Sequence, residues 1–406
     1  MVGLGKKIKM INNIQNKAKQ SFIELGYPDR KSEDWKYTNT DQFSHCIPYN
    51  RDIPFKDSNS FLIDDSINIT IYNGTVLNDH NYNIDGLTIT HLDESHSTES
   101  LKNFSKISRN HKNGIVAHNT AEFKDALHIS IDKNFDFNIP INIIEFSSGL
   151  KDNEIIFPRI YVHVENSSSA KIFIRKLDDN SYGFTNFLSE FYCEDSSSIE
   201  IVYINEAKNQ KSIDSLYFEQ EDNSQIKFLS TSFGNDLYRS NINVDINGNN
   251  CLNDFGVLIL GDRKSHTDFH VNMNHNRSNS VSNFLCRSML RDRAKGFFNG
   301  KIFVKEYASL TDASLNNNNL LLSNDSSMQS NPQLEINNED VKCAHGSTTG
   351  NLDQDSLFYL LSRSIPKSQA EQILIKAFAN KLLDMHNCKL LSIDKKVQNW
   401  IEKNEK

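Results

Sequence analysis

Apolar positions change their spacing three times along this chain. Between residues 8 and 25, Ile11, Ile14, Ala18, Phe22 and Leu25 recur every three or four residues. That spacing places one apolar stripe on a helix. Gly26 and Pro28 follow and predict its end, because glycine suits the position past a C-cap and proline cannot extend a helix. A charged and aromatic run comes next, Arg30-Lys31-Ser32-Glu33-Asp34-Trp35-Lys36-Tyr37-Thr38, in which Trp35 and Tyr37 are expected to pack onto the body. Residues 40–155 carry mixed signals, with short strand-like pieces at 69–72 and 87–90 and a short helix expected within 101–118.

From about residue 128 to 341 the period drops to two. Short runs of Ile, Val, Phe and Tyr alternate with turns of Asp, Asn, Ser and Gly. The turns are copies of one another. Glu165-Asn166-Ser167-Ser168-Ser169 matches Glu194-Asp195-Ser196-Ser197-Ser198 and Glu221-Asp222-Asn223-Ser224-Gln225, with a looser copy at Ile246-Asn247-Gly248-Asn249-Asn250. They start at residues 165, 194, 221 and 246, so the steps are 29, 27 and 25. A near-regular period of this size marks a repeat architecture. One period has room for two or three strands of ~5–6 residues plus turns. It therefore reads as one coil of a β-solenoid, each rung ~4.8 Å above the last. Inward apolar side chains would stack in columns, and polar turn residues would ladder between rungs. An all-β sandwich also alternates, but it gives no reason for the turn sequence to repeat. A solenoid has open ends, so the coils around 310–336 are either capped or used for assembly.

The third change is a return to helical spacing. Asp353 can cap a helix carrying Leu357, Leu360 and Leu361, and Pro366 interrupts the chain. Ser368-Gln369-Ala370-Glu371 forms a capping box ahead of the stripe Ala370, Ile373, Leu374, Ala377, Phe378 and Leu382. Two short helices bury little alone, so they must dock on the solenoid or on a partner. The expected organisation is a helical and mixed region over 1–100, a solenoid over 101–345 and a helical tail over 346–406.

Composition narrows the classes. With 406 residues the chain exceeds the ~250–300 at which one compact core stops growing, so either several domains or an elongated repeat is expected. A net charge of -8 gives no global basic surface for nucleic acid. No apolar run is long enough to span a membrane, and no secretory signal pattern follows the N-terminus, so a cytoplasmic protein is expected. The six cysteines lie at 46, 193, 251, 286, 343 and 388, without a Cys-x-x-Cys pair. Reduced thiols are expected, with no built-in iron–sulfur cluster.

Candidate chemistry concentrates where the β-rich body meets the tail. Cys343-Ala344-His345 offers a thiol and an imidazole two positions apart, on the same side of an extended segment. Thiolate plus imidazole suits iron, zinc or copper, but two ligands do not complete a tetrahedral site. A buried structural cysteine beside an exposed histidine is the alternative. His266, His270 and His275 form a second set, in which only the first two share a face of a strand. Gly296-Phe297-Phe298-Asn299-Gly300-Lys301-Ile302 fails as a phosphate loop, since its spacer is three residues and Ile302 stands where Ser or Thr belongs.

Four stretches together resemble the SufD family, the β-helical subunit of the Suf iron–sulfur assembly scaffold. They are residues 30–38, Arg291-Asp292-Arg293-Ala294-Lys295-Gly296-Phe297-Phe298-Asn299-Gly300-Lys301-Ile302, residues 311–323, and residues 332–353 running into Leu357-Phe358-Tyr359-Leu360-Leu361-Ser362-Arg363. The sister family SufB looks different after the last β-coils. The resemblance implies a mainly β fold, a right-handed parallel β-helix flanked by N-terminal and C-terminal helical regions. It implies a non-catalytic scaffold that pairs with SufB through the β-helices and binds the ABC-type ATPase SufC on its helical tail. His345 falls on the family's interfacial histidine, expected to share a transient iron–sulfur cluster with SufB, and Cys343 falls on the motif's cysteine. No cofactor is expected to be bound tightly by this chain alone. ATPase docking is expected at Leu357, Phe358, Leu361, Ile373, Leu374 and Phe378. Two other readings stand beside it: a β-helix enzyme acting on carbohydrate, and a homomeric metal-binding solenoid using the three histidines.

Overall fold

A computed structural model describes residues 2–51, 54–55, 61–77, 84–92, 104–109, 111–384 and 391–403. Cys388 lies outside the described residues. The chain forms a parallel β-solenoid with helices at both ends of the sequence. The helices are α1 (Val2–Leu25), α2 (Asp41–Ser44), α3 (Lys106–Arg109), α4 (Gly114–Glu122), α5 (Gln354–Ser362), α6 (Lys367–Leu383) and α7 (Ile393–Glu402). α1 ends at Leu25 with Gly26 in the left-handed region, as the Gly26/Pro28 signal predicts.

Successive strands alternate between two facing sheets. Sheet A runs Arg159–Val164, Phe184–Cys193, Lys211–Gln220, Leu237–Ile246, His266–His275, Lys295–Val304 and Ser327–Ile336. Sheet B runs Asp136–Ser148, Ser169–Asp179, Ser198–Asn205, Gln225–Phe233, Leu252–Gly261, Val281–Leu290, Asp312–Leu321 and Lys342–Gly350. Each coil is thus one strand of each sheet. Most of these strands are about ten residues long, not the five or six expected, so a coil holds two long strands and the solenoid is flattened. The sheets also begin before residue 101, since Ile67–Tyr72 pairs with Asp136–Ser148, and they continue to Gly350.

Register makes the core columns. Ile172, Ile201, Phe228, Phe255, Phe284 and Leu315 stand on successive rungs of sheet B. Val162, Phe191, Phe218, Val244, Met273 and Ile302 face them from sheet A. All are buried, each worth ~1.5–3 kcal/mol of transfer. The outer faces are covered too. α6 and α7 lay Ile375, Ala379, Leu382, Ile393, Val397, Trp400 and Ile401 on Val202, Leu229, Leu258, Leu260 and Met289 of sheet B. α1, Trp35 and Phe43 cover part of sheet A. Burial on both faces explains unbroken apolar runs such as Ile201-Val202-Tyr203-Ile204.

The repeated turns share one conformation. Asn134, Ser167, Ser196, Asn223, Asn250, Asn279 and Leu310 all adopt the left-handed region, with φ between 57° and 61°. Each then aims its N–H at the carbonyl of the next turn: Ser167 to Asp195, Ser196 to Asp222, Asn223 to Asn249 and Asn279 to Ser309, at 2.8–3.0 Å. Asparagine side chains ladder as expected, Asn250 to Asn223 at 3.1 Å, Asn272 to Asn243 at 3.0 Å and Asn276 to Asn247 at 2.7 Å.

Candidate functional site

Cys343 and His345 lie on the last strand of sheet B, Lys342–Gly350, at the open end of the solenoid. Cys343 pairs with Ala313 and His345 with Leu315, so both occupy inward-facing columns. Beyond this rung, among the described residues, nothing continues either column. His345 therefore stands where the next rung would bury a core residue, and it is exposed instead. Cys343 is half-buried against the core, with Leu334 and Met328 on the facing strand also packed there. Burial pushes its thiol pKa up, opposed by a hydrogen bond involving the Ala313 backbone. A protonated thiol is a poor ligand, so metal capture by Cys343 would release a proton. Among the described residues no group of three or more His, Cys, Asp or Glu side chains is placed to hold a metal ion. The pair sets a thiol and an imidazole two positions apart on the last described rung.

The second histidine set does not converge. His266 and His270 share the outer face of sheet A, and His275 faces the interior, as the strand alternation predicts. His270 pairs with Asp268 at 3.0 Å, His266 lies against the Phe297 ring, and His275 meets Ser282 Oγ at 2.8 Å. Burial depresses the pKa of His275 to about 4. Each ring has its own structural setting, which removes the geometric basis for a three-histidine metal centre. The 296–302 segment is a sheet A strand, in keeping with rejection of a phosphate loop.

Residues 146–378 match the model of the SufBD core domain, described as "SUF system FeS cluster assembly", and residues 5–143 match that of the SufBD N-terminal region. The chain belongs to the SufBD family. It is 28% identical to the iron–sulfur cluster assembly SufBD family protein slr0076 of Synechocystis, over 66% of this chain and 61% of that protein. It is 35% identical to the iron–sulfur cluster assembly protein SufD of Escherichia coli, over 37% of this chain and 36% of that one. The chloroplastic protein ABCI7 of Arabidopsis thaliana is 24% identical over 92% of this chain and 82% of its own length. The matched stretches thus span under two thirds of the first two relatives.

This SufBD-family chain divides its predicted docking residues. Leu357 and the Ala370, Leu382 part of the α6 stripe are buried inside the fold, so Leu357 is not available to a partner. Phe378 is half-buried under the Arg287 guanidinium, 4.4 Å from its ring centre, and Leu374 is partly covered beside it. Phe358, Leu361 and Ile373 remain exposed, and Tyr359 joins them. Phe358 is 73% exposed, which is costly for a lone helix face. Leu357-Phe358-Tyr359-Leu360-Leu361 is the signal that was available for Tyr359: five consecutive large side chains exceed what one face of a helix can bury.

The 30–38 run proves to be a latch on sheet A. Trp35 is buried with the Arg239 guanidinium 3.7 Å from its ring centre. Asp268 gathers the surroundings: Arg239 Nη1 donates to it at 2.7 Å, Thr38 Oγ1 at 2.5 Å, and His270 Nε2 lies at 3.0 Å. Burial alone would raise the Asp268 pKa, but Arg239 and His270 outweigh it and hold the carboxyl far below its usual range. Such a buried cation–carboxylate pair fixes position more than it adds stability.

Proposed function

We propose that this chain is a non-catalytic scaffold subunit of a Suf complex, pairing with SufB through the open solenoid end and docking the SufC ATPase on α5 and α6. Family membership supports a role in iron–sulfur cluster assembly. The observation that carries the finer reading is the inward-facing Cys343/His345 pair on an unpaired rung. A partner rung laid on that edge would meet the backbone donors and acceptors left open there. It would bring its own ligands to His345, and the nascent cluster would be cargo held between two subunits. The exposed Phe358, Tyr359, Leu361 and Ile373 supply an apolar surface for SufC. No described helix is long and apolar enough to cross a membrane, and we place the complex in the cytoplasm.

Co-expression of tagged chain with SufB and SufC from the same organism tests the reading. All three should co-purify, and the complex should build cluster absorbance when given iron, sulfide and reductant. His345→Ala should leave the complex intact but lower cluster yield severalfold. A chain that purifies alone as a stable monomer overturns the pairing. Undiminished cluster yield in the variant removes His345 from the site.

A further inference from the structure

The latch creates a hollow that the proposed function does not use. Between residues 30–42 and the outer face of sheet A lies a cavity of about 430 Å³. Arg30, Tyr37, Asn39 and Gln42 form its outer wall, and Lys211, His266, Lys295 and Phe297 its floor. The wall is built rather than loose. Tyr37 stacks on Phe297 with ring centres 4.6 Å apart, and Arg30 Nε donates to the Lys36 carbonyl at 3.3 Å. Trp35 and Thr38 anchor the same segment on Arg239 and Asp268.

Charge in this hollow is unbalanced. Lys211, Leu237, His266 and Lys295 are in-register first residues of four successive sheet A strands. Lys211 and Lys295 are therefore three rungs apart, about 14 Å at ~4.8 Å per rung. Arg30 faces them from the latch. Among the described residues none of these three cations forms an ion pair, and Asp236 is the one carboxylate in the lining. The most deeply buried cations are matched by carboxylates, as in Arg159–Glu190, Lys176–Asp214 and Arg239–Asp268, whereas Arg30, Lys211 and Lys295 reach solvent. His266 adds an unmet polar atom, since its Nε2 is shielded and has no hydrogen-bond partner. Arg30 and Lys295 are exposed and Lys211 is half-buried with its ammonium 5.0 Å from the Phe184 ring centre, so water screens them from one another while an anion entering the hollow would meet three cations not held in ion pairs.

We infer that this hollow binds a small polyanion, one carrying two or more phosphate or carboxylate groups, toward which the flexible Lys211 and Lys295 side chains swing in from opposite ends and over which Arg30 closes. A single phosphate would leave one end unmatched. The Tyr37–Phe297 stack gives the hollow an apolar wall, so an organic body between the charged groups is accommodated.

Calorimetric titration of the full chain at low ionic strength tests this, with pyrophosphate and citrate as probes. One equivalent of pyrophosphate or citrate should bind, and the tighter of the two identifies phosphate or carboxylate as the preferred group. The double variant K211Q/K295Q should weaken binding about tenfold or more. Lys295→Arg should keep it, and Lys133→Gln, on a distant turn, should leave it unchanged. Both lysines are at the surface, so circular dichroism of the double variant should match the native chain. Failure of both probes to bind overturns the inference. So does equal binding by K211Q/K295Q, or an equal loss with Lys133→Gln, which would mean nonspecific charge attraction.

Discussion

Inside the solenoid, three ionisable side chains meet without water-exposed surface. Lys176 Nζ lies 2.5 Å from Asp214 Oδ1 and 2.6 Å from Ser212 Oγ, and Tyr203 donates to Asp214 Oδ2 at 2.6 Å. Glu145 is fully buried in the same region, with Ser147 donating to Oε1 at 2.9 Å and Oε2 unpartnered. One ammonium cannot neutralise two carboxylates, and Asp214 is the one in contact with it. Burial raises the Glu145 pKa to about 7 against the opposing pull of Lys176. The unfolded value is ~4.3, so folding takes up a proton between the two. The protonated state's contribution is complete below the unfolded pKa and is lost as pH rises through about 7. At ~1.4 kcal/mol per pKa unit, the loss is on the order of a few kcal/mol. Glu145→Gln keeps a neutral side chain of the same shape at every pH. Its melting temperature should therefore exceed the native chain's near about pH 8 and converge with it near about pH 5. Parallel melting curves across that range would show that Glu145 does not titrate in the folded chain. None of this was legible in the sequence, because Lys176 and Glu145 look like solvated strand residues until register places them inward.

At the scale of elements, the repeated turn explains both what was readable and what was not. The Glu-Asp-Asn/Ser copies revealed the coil because each third residue must be left-handed, and Asn and Ser tolerate that better than larger side chains. Strand length was misjudged because both faces of each sheet are buried, which blurs the alternation that marks a strand's ends. The sequence pattern does not single out α7, although Ile393, Val397, Trp400 and Ile401 sit at helical spacing. Its stripe is short, and its burial depends on a sheet surface that sequence alone does not place beside it. Leu310 breaks the turn pattern. It holds φ 57° and is 57% exposed, so it suffers backbone strain while burying little. Leu310→Asn installs the residue that the chain already uses at 134, 223, 250 and 279. The substitution should raise unfolding free energy by about 0.5–1 kcal/mol, read as a higher urea midpoint at unchanged slope. A lower midpoint would mean that the Leu310 side chain makes a contact worth more than its strain.

Over the whole molecule the two ends of the solenoid are treated differently. At the first, short antiparallel strands, Thr75–Val76 and Leu87–His91, close sheets B and A, and α1 and α4 pack nearby. At the other, Ser327–Ile336 and Lys342–Gly350 end the sheets with mostly exposed side chains. Among the described residues one end is capped and the other bare, which is the asymmetry that the proposed pairing would use. The phase of that edge follows from Lys342, whose N–H donates back to Thr311 at 2.8 Å. In a parallel ladder alternate residues share this direction, so the N–H groups of residues 344, 346 and 348 point inward and those of 343, 345 and 347 outward. Ser347 is exposed, and proline there removes an outward backbone donor without breaking an inner ladder bond, losing besides only the exposed Ser347 Oγ to Ser330 Oγ hydrogen bond at 2.8 Å. Ser347→Pro should leave the isolated chain folded, with a melting temperature within a few degrees of native, yet abolish co-purification with SufB. Retention of SufB by a folded Ser347→Pro chain would place the partner elsewhere and leave His345 without the neighbour that makes its rung a site.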